Sequence, residues 1–168
     1  LNLVASGSYT YGTGGDYTTR ALAYADLANL TGDLTFTQIS ATTETATATM
    51  TENLAGNTFK DKTNTAHKGD PTLGWVSTLD ATAGSFVPIS ITPEGAGTFE
   101  LDGLYLKTTG TAFGLNINII EGVTITTAFT LKIHDIIVDT DSETSVRCIN
   151  VNDADITAEI WNCKIFES

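Results

Sequence analysis

Positive charge is scarce in this chain. Eight Lys and Arg face 20 Asp and Glu, giving a formal net charge of −12 and a pI near 4.2. Nucleic-acid binding needs a basic face that displaces counterions, and docking on anionic lipid needs a polybasic patch. Neither partner is expected. Long apolar runs are also missing: nothing approaches the ~20 residues that cross a bilayer as a helix. With only three Pro, composition gives no reason for disorder. Two cysteines, Cys148 and Cys163, do not make a disulfide scaffold. There is no initiator Met and no basic-then-apolar leader, so residue 1 is expected to be a processed or trimmed end.

Threonine is abundant, at 31 of 168 residues. It is β-branched and suits the pleated, half-buried surface of a sheet. The length fits one domain with a substantial core.

Three stretches read alike: Phe99–Lys107, Leu131–Asp139 and Ala158–Phe166. Their matched positions are Leu101, Ile133 and Ile160; Gly103, Asp135 and Asn162; Leu104, Ile136 and Cys163; and Leu106, Val138 and Ile165. The copies lie 32 and 27 residues apart. Self-similarity at that spacing marks a stacked repeat, and the unit reads as a strand. Alternating apolar segments at Ile89 and Ile91, at Leu115, Ile117 and Ile119, and at Ile149 and Val151 fill the intervals. Turns are expected at Pro93–Gly97, Glu121–Gly122 and Asp153–Asp155, the last two followed by short strands starting at Val123 and Ile156. Three strands per circuit predicts an all-β, right-handed parallel β-helix.

Residues 1–39 read as an N-terminal cap and first strand, and 40–168 as the rungs. Arg20–Leu30 is rich in Ala and Leu, with Thr18 or Thr19 as N-cap. Leu22, Ala23, Leu27 and Leu30 form its apolar stripe, with Tyr24 at the edge, and Leu22, Leu27 and Leu30 are expected to cover the first rung. Leu34–Ile39 alternates as a strand, and Thr42–Thr51 leans to strand. Asn53–Phe59 reads as a degenerate repeat, with Leu54, Gly56 and Phe59 near the places of Leu101, Gly103 and Leu106. Asp61–Gly74 is a polar excursion containing His67, and Trp75–Leu79 returns to the sheet with Trp75 in the core.

The run Gly14–Leu27, followed by Gly32-Asp-Leu-Thr-Phe36, resembles the entry of pectin-lyase-like β-helix proteins. Pectin methylesterases show a similar Gly-Asp-Tyr-Thr-Thr, an Ala-rich capping helix, then a Gly and a strand. Such entries also occur in bacterial surface proteins and in phage tail spikes and fibres. The resemblance covers residues 12–39 by motif and 99–166 by repeat style. It implies a fold that hosts many activities. The catalytic sets of the polygalacturonases and esterases are not found here, so an enzyme is not expected.

Sequence neighbours on a strand point to opposite faces, so His134 and Asp135 are not expected to cooperate. His67 has no second His or Cys nearby to share a metal. Carboxylate-rich turns at Asp139 and Asp141 and at Asp153 and Asp155 are candidate Ca²⁺ sites, although neither has EF-hand spacing. Cys163 is expected inside, as a small apolar residue. If Ile160 points inward, Trp161 points outward, where it could stack a sugar ring or bury in a subunit contact.

The expected function is a structural or adhesive β-helix of a virion or surface appendage, such as a phage fibre, spike or head decoration. It would work through assembly contacts, as a homo-oligomer or within a larger assembly, in the virion or at the cell surface. The alternative is the entry region of a carbohydrate-active enzyme or carbohydrate-binding module, with polysaccharide as ligand. Residues 158–166 carry an apolar edge that calls for a neighbouring subunit or for further rungs of a longer chain.

Overall fold

In the computed structural model, residues 3–64, 72, 74–80, 88–109, 118–123, 129–140, 147–152 and 156–166 are described, with 118–123, 147 and 152 described by their backbone alone. Strand β1 (Gly7–Tyr11) and helix α1 (Arg20–Ala25) come first. Successive circuits then follow: β2 (Leu34–Gln38), β3 (Thr42–Glu44), β4 (Ala48–Met50); β5 (Thr58–Thr63), β6 (Val76–Asp80), β7 (Ile89–Ile91); β8 (Thr98–Asp102), β9 (Tyr105–Thr109), β10 (Asn118–Val123). The last are β11 (Phe129–His134), β12 (Ile137–Asp139), β13 (Arg147–Asn152), and then β14 (Ile156–Trp161) with β15 (Lys164–Phe166).

Each strand pairs in parallel with its counterpart one circuit away. Three sheets result, ordered β1-β2-β5-β8-β11-β14, β13-β10-β7-β4 and β15-β12-β9-β6-β3. This is a parallel β-solenoid of about four turns. The predicted columns are real. Leu101 pairs with Ile133 and Ile133 with Ile160, while Leu106 pairs with Val138 and Val138 with Ile165. Between these columns the chain turns a corner at Gly103, Asp135 and Asn162, with φ of 71°, 55° and 51°. The repeat wants Gly, Asp or Asn there because only such residues adopt the left-handed region readily.

Inside, Phe36, Phe59 and Phe99 contact edge to face, with ring centres 5.6 Å and 5.0 Å apart. Tyr24 from α1 lies over Phe36 at 6.0 Å. Each buried aromatic contributes roughly 1.5–3 kcal/mol of transfer free energy, and edge-to-face contact adds about 0.5–1.5 kcal/mol.

The first circuits depart from expectation in instructive ways. Strand β1 was not foreseen; it pairs with β2 and makes an extra partial rung. The helix is six residues, not eleven. It starts at the expected N-cap, Thr19, whose side chain accepts from the Leu22 amide, and ends at Asp26. The chain then extends, and Leu27 forms a parallel bridge with Val4. The amide of Val4 donates to Asp26 O at 2.7 Å and that of Ala28 to Val4 O at 2.9 Å, so pairing with the N-terminal segment replaces further helical bonds. Leu27 and Leu30 are buried as expected, but Leu22 is 54% exposed because the cap buries Ala23 and Tyr24 instead. α1 packs against β4 and β3, taking the place that strands would occupy on that rung.

The degenerate repeat falls in another register: Phe59 pairs with Phe99, and Asp61 with Leu101. The tract from Thr42 divides into β3 and β4. Glu121 and Gly122 lie within β10 rather than in a turn, paired to Ser90 and Ile91 on one side and Asn150 and Val151 on the other. Trp75 is 37% exposed, not core; its indole N–H donates to Asn64 Oδ1 at 2.7 Å just before β6. Leu115 and Ile117 lie outside the described residues.

Candidate functional site

Two polar constellations stand out, one inside the solenoid and one outside. The inner one arises where the columns change character. Asp61 stands in the column of Leu101, Ile133 and Ile160, and Thr42 and Ser77 stand in that of Leu106, Val138 and Ile165. Arg20, the first residue of α1, projects into this polar pocket and is 1% exposed. Its Nε donates to Asp61 Oδ2 at 2.8 Å, and its Nη2 to the Tyr11 hydroxyl at 2.8 Å and to Ser77 Oγ at 3.2 Å. The hydroxyls of Tyr11 and Tyr24 each donate to Asp61 at 2.8 Å. Burial pushes the Asp61 carboxyl up, while the Arg20 guanidinium and the two tyrosine hydroxyls pull it back. Glu44 accepts from the Arg20 and Ala21 amides at 3.0 Å and 3.4 Å, satisfying the start of α1. The network ties the cap to the core and is closed to solvent, which suits fixing structure rather than meeting a ligand.

The outer constellation lies on the solvent face of the β5-β8-β11-β14 sheet. Residues two apart on a strand share a face, so the outward positions form two columns: Lys60, Glu100, Lys132 and Glu159; and Lys62, Asp102, His134 and Trp161. Lys60 Nζ lies 2.7 Å from both Glu100 Oε1 and Asp102 Oδ2, and Lys132 lies 3.6 Å from Glu159. His134 Nε2 is 3.0 Å from Glu100 Oε1, and its Nδ1 is 2.8 Å from Asp135 Oδ2 and 3.6 Å from Asp102 Oδ1. The Trp161 ring stacks on the imidazole at 4.2 Å, tilted by 8°.

His134 and Asp135 therefore do meet, contrary to the alternation argument. Asp135 is no longer in extended conformation: its φ of 55° turns the corner and brings its carboxylate back beside the preceding side chain. Asn162, one rung on, donates to the other Asp135 oxygen. Burial opposes charge on His134, but bonds to Asp135 and Glu100 outweigh it and raise its pKa. Burial would raise the Glu100 carboxyl, but Lys60 and His134 hold it below its ordinary value. The surrounding carboxylates thus stabilise the protonated form of the His134 imidazole.

Trp161 faces outward as expected and is 45% exposed. Asp139 ends β12 and is buried, with its Oδ2 3.0 Å from Lys107 Nζ and 3.3 Å from the Tyr105 hydroxyl. Asp141, Asp153, Asp155 and His67 lie outside the described residues. Cys148 and Cys163 are free, half-buried thiols whose pKa burial raises, which disfavours the thiolate. A shallow groove of about 450 Å³ beside α1, lined by Leu22, Ala25, Thr45 and Thr47, presents no charged side chain.

The sequence pattern places Trp161 outward but does not show that Lys60 and Glu100 share its face. The signal was present in the alternation of charge with Phe59, Phe99 and Leu101. The misplaced register of residues 53–59 concealed it.

No protein-family model matches the chain, and no curated protein or solved structure does so either.

Proposed function

We propose that the chain is a structural or adhesive β-helix subunit of a virion or surface appendage, acting through assembly contacts. The observation that carries this reading is the state of the last described rung. Ile160 and Ile165 continue columns whose earlier apolar members, Leu101, Ile133, Leu106 and Val138, are fully buried, yet they are 46% and 54% exposed. They sit on β14 and β15, the outermost described strands of their sheets. An apolar surface bordered by a strand edge is a template for another chain. The occupant we propose is a neighbouring subunit, a second copy of this chain in the first instance, or else further rungs of a longer polypeptide. β1 and α1 cover the opposite end, so the complementary surface is the equivalent rung of the other copy, the two meeting tail to tail about a twofold axis. The virion or surface setting, and kinship with the pectin-lyase-like superfamily, are supported by the entry motif of residues 12–39.

Sedimentation equilibrium tests the proposal. A concentration-dependent dimer that Ile165→Asp abolishes supports it; a monomer at every concentration refutes it. Carbohydrate binding is a second reading, favoured by Trp161, an exposed indole held rigid against His134. Retention of the chain on an immobilised polysaccharide, lost in Trp161→Ala but kept in Ile165→Asp, would favour that reading over assembly.

A further inference from the structure

The cluster on the outer sheet face brings an imidazole on β11 beside two carboxylates on β8. Glu100, Asp102 and Asp135 surround one imidazole, and the Lys60 ammonium reaches Glu100 and Asp102. Glu100 and Asp102 share that one ammonium at partly buried positions, with side chains 19% and 25% exposed. One ligand atom each from Glu100, Asp102 and His134 lies within 4.8 Å of the others. Donors on a tetrahedral ion at ~2.0–2.2 Å stand about 3.3 Å apart, and His134 Nε2 and Glu100 Oε1 are already 3.0 Å apart. A cation already lies between the two carboxylates, since Lys60 Nζ is 2.7 Å from each.

We propose that Glu100, Asp102 and His134 form a binding site for a divalent transition metal, Zn²⁺ in the first instance, with Lys60 as the cation that the metal displaces. His134 ligates through Nε2. Asp135 accepts the Nδ1 proton, fixing the tautomer and orienting the ring as carboxylates do behind metal-bound histidines. Trp161 clamps the imidazole by its face, which holds Nε2 in plane toward Glu100, while Asp102 Oδ1 lies 3.6 Å from Nδ1. A nitrogen donor with two carboxylates selects Zn²⁺ or a neighbouring metal over Ca²⁺, which prefers an all-oxygen shell. Lys60 reaches the cluster along a strand face and is 27% exposed, so its head can swing to solvent when the ion arrives. The ligands come from β8 and β11, so the ion would bridge two rungs.

The test is calorimetric titration of the full 168-residue chain with ZnCl₂, followed in parallel by the imidazole nitrogen shifts of its histidines. One equivalent should bind, with the His134 Nε2 resonance moving and the Nδ1 proton retained. His134→Ala should weaken binding at least about tenfold, and Asp135→Asn about tenfold or more, the range measured when such outer carboxylates are removed. His67→Ala should leave it unchanged. Lys60→Met is the discriminating variant: it should tighten binding if Lys60 competes with the metal. Circular dichroism melting of each variant separates lost binding from lost folding. Absence of binding to the folded wild type overturns the proposal, as does binding that survives His134→Ala, or a folded Lys60→Met chain that binds no tighter.

Discussion

The first and last described rungs of this solenoid are finished differently. At the N-terminal end, β1 and α1 lie over the first circuit, and Leu34, Phe36 and Met50 are fully buried. At the other, Ile160, Trp161 and Ile165 remain about half exposed. A solenoid rung buries its inward side chains only when another layer lies on each side of it. The N-terminal layer is secured by more than apolar contact. Arg20 reaches from α1 into the second circuit and is held there by Asp61, Tyr11 and Ser77. The contrast is between a first rung locked by a buried network and a last described rung whose apolar positions are about half exposed.

The largest effect is expected from opening the locked end. Leu27→Asp places a charge at a site 5% exposed beneath the cap. It should cost more than about 4 kcal/mol and leave the chain insoluble or unfolded. A soluble variant with unchanged melting would remove the cap's assigned role. Asp61→Ala strands the Arg20 charge and should destabilise by about 3–5 kcal/mol in urea unfolding. Arg20→Met does comparable damage. Combined with Asp61→Leu, it should cost less than the two single changes added together, by about 1 kcal/mol or more, because neither charge is then left alone.

The open end should respond in the opposite sense. Ile160→Ser and Ile165→Ser remove side chains that are already about half exposed, so dilute-solution stability should fall by only about 1 kcal/mol or less. Their effect should fall instead on assembly. The smallest effect concerns His134, which links the third and fourth circuits to Trp161 on the last. Its pKa is raised in the folded state, so its stabilisation is fully present below the unfolded-state value and lost as pH rises through the folded one. As pH rises from the unfolded-state value through the folded one, the wild type should therefore lose stability relative to His134→Gln, by only a small amount for a screened cluster on the sheet's outer face. A profile parallel to that of the variant would remove the imidazolium from the account.

Much of the architecture was legible because a stacked repeat writes its columns into the sequence. Leu101, Ile133 and Ile160 share a template, and so do Gly103, Asp135 and Asn162 at the corner. The first circuits were harder to read, since their columns carry Asp61, Thr42 and Ser77 where later ones carry Leu, Ile or Val. A pattern search follows apolar positions, and a buried charge breaks the pattern at the very point where it is paired. The helix was read too long because its stripe continued through Leu27 and Leu30, whereas Val4, distant in sequence, competes for the backbone there. The outer cluster escaped because its members come from β5, β8 and β11, and because the corner conformation of Asp135 overrides strand alternation.

The contrast between the ends can be measured directly by amide hydrogen exchange at low and high protein concentration. The amides of Phe36 and Met50 should be protected equally at both. Those of Ile160 and Ile165 should exchange readily when the chain is dilute and become protected as it is concentrated, with Ile165→Asp abolishing the gain. Protection at β14 and β15 that does not depend on concentration, or that survives Ile165→Asp, would contradict the claim that this rung is completed by a second copy.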